Sequence, residues 1–473
     1  MPSDPSPAES FAAPAHDGAT TPVGDVGLLS PVSIGAGDAA SDRVVLAHLI
    51  EAELALTRAL VASGAAPRSA GAAVDAVRLA PPAIDLAQLA RDSVAGGNPV
   101  IPLIPLIKAR VAEEDRDAVA WVHVGATSQD ILDSALMTLG RDASAVVSES
   151  LSRTTAALRL LAGAHRDDPA AARTLTQHGV PTTLGLKVAN WVRAVDRARL
   201  RLAETAARLP AQLGGAGGTL AAFVERFGAA AAAGLPARYA DELGLQAPDA
   251  PWHTDRWPVT ELGDALAAVV AAVGMFGSDV ASMARTEVAE AAVAEGGGSS
   301  AMPQKQNPVD AVLLRSAALR APGLAAQLHL AAGLAVDERP DGAWHAEWPA
   351  LQELLRLALG ASARAAHLAA GLSLDAGRAR TNLDLTNGLI VSERLGIVLV
   401  PLIGKARFDS LISDAAAGGD LAVLVRALPE TAALDVAALV DPAHYLGLAP
   451  ALVDAALRHA SSPTDPLEEG IRP

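Results

Sequence analysis

Residues 296–310 read Gly-Gly-Gly-Ser-Ser-Ala-Met-Pro-Gln-Lys-Gln-Asn-Pro-Val-Asp, a set of side chains that can move protons beside a carboxylate. Three glycines give a backbone that takes up positive φ at little steric cost. The hydroxyls of Ser299 and Ser300 come next, then the cation of Lys305 and the amide of Asn307. Asn307-Pro308 has the make-up of a helix start, with Asn as N-cap and Pro as the first helical residue. A helix N-terminus favours anions. A plain glycine linker would need neither Met302-Pro303 nor a Lys and an Asn two residues apart, so the segment is read as functional.

Three further clusters carry candidate chemistry. His123-Val-Gly-Ala-Thr127-Ser128-Gln129-Asp130 contains the Thr-x-x-Asp relative of the capping box, which alone is an ordinary helix cap. The same hydroxyls and the N–H groups behind them can hold a substrate carboxylate. Arg173-Thr-Leu-Thr176-Gln177-His178-Gly-Val-Pro181-Thr182-Thr183 can be a polar loop in which Thr182 or Thr183 caps a helix. It also gathers Gln177, His178 and Thr182, and His is the side chain whose ordinary pKa suits proton transfer near neutrality. The stretch from Asp337 to Pro349 holds two of the six tryptophans, Trp344 and Trp348. They are either plugs at a helix junction or a pocket wall where Arg339 supplies positive charge to an anionic substrate. His123 and His178 lie in separate motifs without ligand spacing, so no metal is assigned.

Long helices must position these clusters. Apolar periodicity and alanine content predict helices over about 42–63, 130–165, 185–209, 259–293, 308–337 and 347–371, with shorter pieces between 71 and 92 and beyond 372. Segment 166–184 is read as a polar connection, and 214–218 as a glycine break. The fold class expected is all-α: three helical domains around a central bundle that assembles with other subunits. The divisions are a disordered tail at 1–27, an N-terminal helical domain at 28–129, the bundle at 130–371, and a small C-terminal domain at 372–473 with a frayed end.

Composition narrows the function. Hydrophobic residues make up 51% of 473 and aromatics only 3%. The net charge of −16 argues against nucleic acid and anionic membrane surfaces as partners. There is no cysteine, which excludes disulfides and thiolate chemistry and fits a cytoplasmic protein. The first 27 residues lack the pattern of a secretory signal. The apolar run 265–276 is too short to span a bilayer and is read as buried helix.

Taken together, Gly298-Ser-Ser-Ala-Met-Pro-Gln-Lys-Gln-Asn-Pro308 resembles the signature of the fumarase/aspartase superfamily, and 123–130 and 173–185 resemble its other two conserved regions. Within it, Gly97-Asn98-Pro99-Val100, Pro251-Trp252-His253-Thr254 and Gly342–Pro349 are similar to bacterial 3-carboxy-cis,cis-muconate cycloisomerases. Asn382–Leu389 resembles a segment shared with adenylosuccinate lyases. Those lyases carry a His where this chain has Leu175, and that His serves their nucleotide. The superfamily's Glu seven residues after the loop Lys is Val312 here, which leaves Glu287 as one candidate partner for His178.

The resemblance implies addition or elimination beside a carboxylate, with Ser299 handling the carbon-bound proton and His178 acting on or positioning the substrate. Thr127, Ser128, Gln177, Thr182, Ser300, Lys305, Asn307 and Arg339 would bind it. The activity implied is closure of 3-carboxy-cis,cis-muconate, a small tricarboxylate, to 4-carboxymuconolactone, without a cofactor. It would occur in a homotetramer whose active sites are shared between subunits. The alternatives are a C–N lyase releasing fumarate and a non-catalytic bundle reusing the fold.

Overall fold

The computed structural model describes residues 26–294, 297–299 and 302–458. Of the expected N-terminal tail, 1–25 lie outside the described residues, as do the C-terminal residues 459–473. The chain begins with α1 (Asp42–Ala62), α2 (Arg68–Leu79), α3 (Leu86–Gly96) and α4 (Val100–Glu114). The 37-residue α5 (Ser128–Ala164) follows, then the hairpin β1 (Pro169–Thr174) and β2 (Gln177–Thr183), and then α6 (Leu184–Ala207). Two shorter helices, α7 (Ala221–Phe227) and α8 (Ala229–Leu243), precede α9 (Trp257–Met283). Three short strands come next, β3 (Ala291–Val293), β4 (Gly297–Ser299) and β5 (Met302–Asn307). Then come α10 (Val309–Gly333), α11 (Gly342–Gly371), β6 (Leu372–Leu374) and the smaller helices α12 (Ala376–Asp384), α13 (Ser392–Ile403), α14 (Lys405–Ala416), α15 (Leu421–Arg426), α16 (Val436–Val440) and α17 (Ala449–Arg458).

The helical architecture is as expected. Helices α5, α6, α9, α10 and α11 pack on one another and bury one continuous apolar core. A second, smaller core gathers Leu383, Ile390, Leu395, Leu399, Leu411 and Leu439. Glycines let α9 approach its neighbour closely. A Cβ on Gly274 would lie 2.4 Å from the Ala318 Cβ, and one on Gly277 would lie 2.8 Å from the Leu314 Cβ, both on α10. By length and composition α9 could cross a membrane, yet it packs against α6, α10 and α11 within the bundle.

Three two-stranded antiparallel sheets interrupt the helices. Segment 166–184, read as a connection, is the β1–β2 hairpin. Its turn places Leu175 and Thr176 at φ 49° and 72°, the left-handed pair that matches strand twist in a two-residue hairpin loop. Helix α9 stops at Met283 rather than near 293, because the chain turns there to bury Glu290 and to pair β3 with β6.

One face of α10 is left apolar and open. Val312, Leu319, Leu330 and Leu334 are exposed, Leu319 by 86%. They are spaced 7, 11 and 4 residues apart, close to whole turns of a helix, so they form one stripe.

Candidate active site

The first predicted cluster sits where α5 begins. Thr127 is the N-cap, and the Asp130 carboxylate returns to accept its N–H at 2.9 Å. That carboxylate is fully buried and accepts three more donors: the N–H groups of Gly214 at 2.9 Å and Gly215 at 3.0 Å, and His253 Nε2 at 2.8 Å. The Gln129 amide reaches the His253 carbonyl at 2.9 Å. The glycine break at 214–218 is thereby tied to the Thr127 turn. Gly125, at φ 70°, lies against Phe223 so closely that a Cβ there would meet the ring at 2.9 Å. Leaving His123, whose φ is 61°, the imidazole Nδ1 pairs with the buried Glu53 carboxylate at 2.9 Å.

Arg339 reaches this turn from the loop before α11, donating to the Thr127 hydroxyl and, at 3.3 Å, to the Ala216 carbonyl. Thr127, Ser128 and Arg339 thus form one group. Beneath it the Arg256 guanidinium is fully buried, paired with Asp133 at 2.7 Å and Glu347 at 2.7 Å. Trp344 donates to Asp133 at 2.9 Å, and Trp252 lies against Arg256, 4.8 Å from ring centre to guanidinium carbon. Of the two tryptophans from the sequence motif, Trp344 is therefore a buried plug. It meets Trp348 edge-on at 4.6 Å, and Trp348 in turn faces His345.

The second group lies on the β1–β2 hairpin. His178 is half-buried and stands opposite Arg173 across the strands. Gln177 is exposed, Thr182 half-buried, and Thr183, not Thr182, caps α6 by accepting the Leu186 N–H at 3.0 Å. Burial first, and then the Arg173 cation, hold the His178 imidazole below its ordinary pKa, against a partial opposing pull from Glu290. Lys187, in the first turns of α6, is also held below its ordinary value by burial and Arg173. The carboxylate near His178 is therefore Glu290, fully buried, whereas Glu287 is exposed. Glu290 was not legible in the sequence because nothing local marks it: its partners are Arg173, 117 residues away, and Asn382, 92 residues away.

The third group occupies the β4–β5 hairpin, with Ser299 paired to Met302 in the backbone register and Lys305 exposed. Ser300 lies outside the described residues. Asn307 does not cap α10. Its amide donates across the hairpin to the Gly297 carbonyl at 3.0 Å, and Pro308 takes the N-cap position. Among the described residues, no hydrogen bond or ion pair joins the predicted residues of one group to those of another. No group of three or more metal-binding side chains is formed among the described residues either.

Known proteins resemble the chain along most of its length. A protein-family profile described as "Lyase" matches residues 40–323. A nitrosuccinate lyase of Streptomyces davaonensis is 49% identical over 92% of this chain and 94% of its own length. A 3-carboxy-cis,cis-muconate cycloisomerase of Pseudomonas aeruginosa is 41% identical over 88% of this chain and 92% of its own. The crystal structure of the 3-carboxy-cis,cis-muconate lactonizing enzyme from Pseudomonas putida superposes with a TM-score of 0.81 at 36% identity, covering 88% of this chain and 94% of that one. The helical bundle, the three motif-bearing turns and these relatives together make the chain a member of the lyase family within the fumarase/aspartase superfamily.

Proposed function

We propose that this protein makes or breaks a bond next to a substrate carboxylate, using a group that leaves or attacks as a stable anion. One observation carries the reading. Burial and the Arg173 cation lower the His178 pKa and so favour its uncharged form, and position 312, where the superfamily's partner Glu is expected, is a valine. An amine leaving group must be protonated as it departs, so it needs a charged acid. Nitrite and carboxylate need none.

Nitrosuccinate is the first substrate we put forward, on the 49% identity with a nitrosuccinate lyase. The Ser299 alkoxide removes the proton from the carbon beside one carboxylate. The C–N bond breaks with its electron pair going to nitrite, and the new double bond gives fumarate. Lys305, Asn307 and the loop N–H groups stabilise the aci-carboxylate charge that builds up. A serine hydroxyl is a weak acid, so its alkoxide needs the same cation and dipoles. Thr127, Ser128 and Arg339 bind one carboxylate, and Gln177, Thr182 and Ser300 bind the other end.

Lactone closure of 3-carboxy-cis,cis-muconate is the second reading, supported by the cycloisomerase relatives at 36–41% identity. There the substrate's own carboxylate adds across the diene and neutral Ser299 gives its proton to the adjacent carbon. Among the described residues no hydrogen bond or ion pair joins the three residue groups, and α10 bears an open apolar stripe. We therefore take the site to be completed by association into a cytoplasmic homotetramer.

The deciding experiment mixes purified protein with each substrate. Fumarate absorbance together with nitrite supports the first reading, and ultraviolet loss of 3-carboxymuconate supports the second. Fumarate release from a succinyl-amine would overturn the anionic-leaving-group argument. No turnover of any of these would favour a non-catalytic bundle.

A further inference from the structure

We propose that Glu290 is a positioning residue that sets His178 for its work on the substrate, acting through Arg173. The proposal rests on the reading that His178 handles the substrate. Glu290 has no exposed surface, and both of its oxygens are engaged by Arg173, at 2.8 and 2.5 Å. Two parallel N–H···O bonds fix the guanidinium plane as well as its charge. Arg173 is the residue directly across the hairpin from His178, at a point where the strand register shifts. An irregular two-stranded ribbon holds its side chains weakly by itself, so the anchor on Arg173 steadies the strand position opposite His178.

The anchor is itself anchored. The Asn382 amide donates to Glu290 at 2.8 Å and to the Val288 carbonyl at 2.8 Å. The Glu290 carbonyl accepts the N–H of Asp375, and the next residue begins β3, which pairs with β6. Burial alone would raise the Glu290 pKa, but the bonds from Arg173 and Asn382 overcome this and hold it below the usual carboxylate range. The carboxylate thus keeps its charge further into acid than an ordinary Glu, and it opposes the effect of the Arg173 cation on His178. Of the other charges on elements packed against β2, Lys187 on α6 also acts on His178, Asp196 on α6 pairs with Arg159 and lies near Arg199, and Asp454 on α17, which also carries Arg458, is already paired with Arg166 at 2.7 Å. Neither α17 residue touches the Arg173–Glu290 pair.

The test compares full-length wild type with Glu290→Gln and Arg173→Lys. Magnetic resonance titration of labelled histidine rings reads the His178 pKa without substrate, the signal being assigned by its loss in His178→Gln. Steady-state kinetics on nitrosuccinate and 3-carboxymuconate read kcat and KM separately. Glu290→Gln removes the charge that offsets Arg173, so the His178 ring is expected to titrate at lower pH and kcat to fall at least tenfold. Arg173→Lys keeps the charge but loses the two-pronged geometry. There the His178 titration should stay near wild type while kcat falls at least fivefold. An unmoved His178 titration in Glu290→Gln, or wild-type kcat in both variants, overturns the proposal. Should Glu290→Gln not fold, Arg173→Lys decides alone: wild-type kcat overturns it, and a fivefold loss at unchanged Tm upholds it. Absence of turnover by wild type on both substrates would sink the functional reading, and the titration would still decide the positional one.

Discussion

At the scale of single residues the proposed chemistry rests on the Ser299 hydroxyl and on an imidazole, His178, whose pKa is lowered by burial and by Arg173. Ser299→Ala should cut kcat by about 10²–10⁴-fold, the usual contribution of a positioned acid or base. Near-normal turnover in that variant would remove the serine from the mechanism. His178 offers a pH signature. Burial and Arg173 hold it below its ordinary 6.5, so the uncharged ring persists further into acid. If the neutral ring is the working form, the acid limb of kcat/KM should lie below pH 6.5 and vanish in His178→Gln. Loss of activity as pH rises through the His178 pKa, an alkaline limb absent from His178→Gln, would mean that the ring works in its charged form.

The elements explain what could be read in advance and what could not. The long helices are written locally, in alanine content and apolar period, and their predicted spans differ from the observed ones mainly at the ends. The β1–β2 hairpin is not written locally, because its left-handed turn residues are Leu175 and Thr176, with no Asn-Gly pair to mark them. Asp130 was legible as a cap, but its bonds to Gly214 and His253 span 84 and 123 residues and left no trace in the motif. The same non-local pairing hid Glu290. Its pKa is lowered in the folded chain, so the unfolded state binds the extra proton between the folded value and the ordinary one. Its contribution is therefore full above about pH 4.3, the ordinary Glu value, and is lost as pH falls through the folded pKa. Acid unfolding of wild type should be steeper than that of Glu290→Gln over this window, and equal slopes would contradict the shift. Close helix approach gives a second prediction. Alanine for Gly274 gains about 1 kcal/mol of helix propensity. Its Cβ would lie 2.4 Å from the Ala318 Cβ, which cannot rotate away, and overpacking costs about 1–3 kcal/mol. Gly274→Ala should therefore lower Tm, and an unchanged or higher Tm would show that α9 and α10 can separate cheaply.

At the scale of the whole molecule, the uncovered apolar stripe on α10 is the surface on which the proposed association with other copies of the chain is tested. Leu319→Glu puts a charge in the middle of that stripe. Light scattering after size exclusion should show a smaller particle, with turnover falling in proportion. A wild-type mass would place the assembly surface elsewhere. The Asp130 junction has a further consequence, for the order of events during synthesis. Its two oxygens close on Thr127, Gly214, Gly215 and His253, so the turn at 123–130 leaves the ribosome long before its last partner does. A nascent chain shorter than 253 residues holds that carboxylate without its histidine. This turn is encoded early, and its bonds are completed only after more than half the protein has been made.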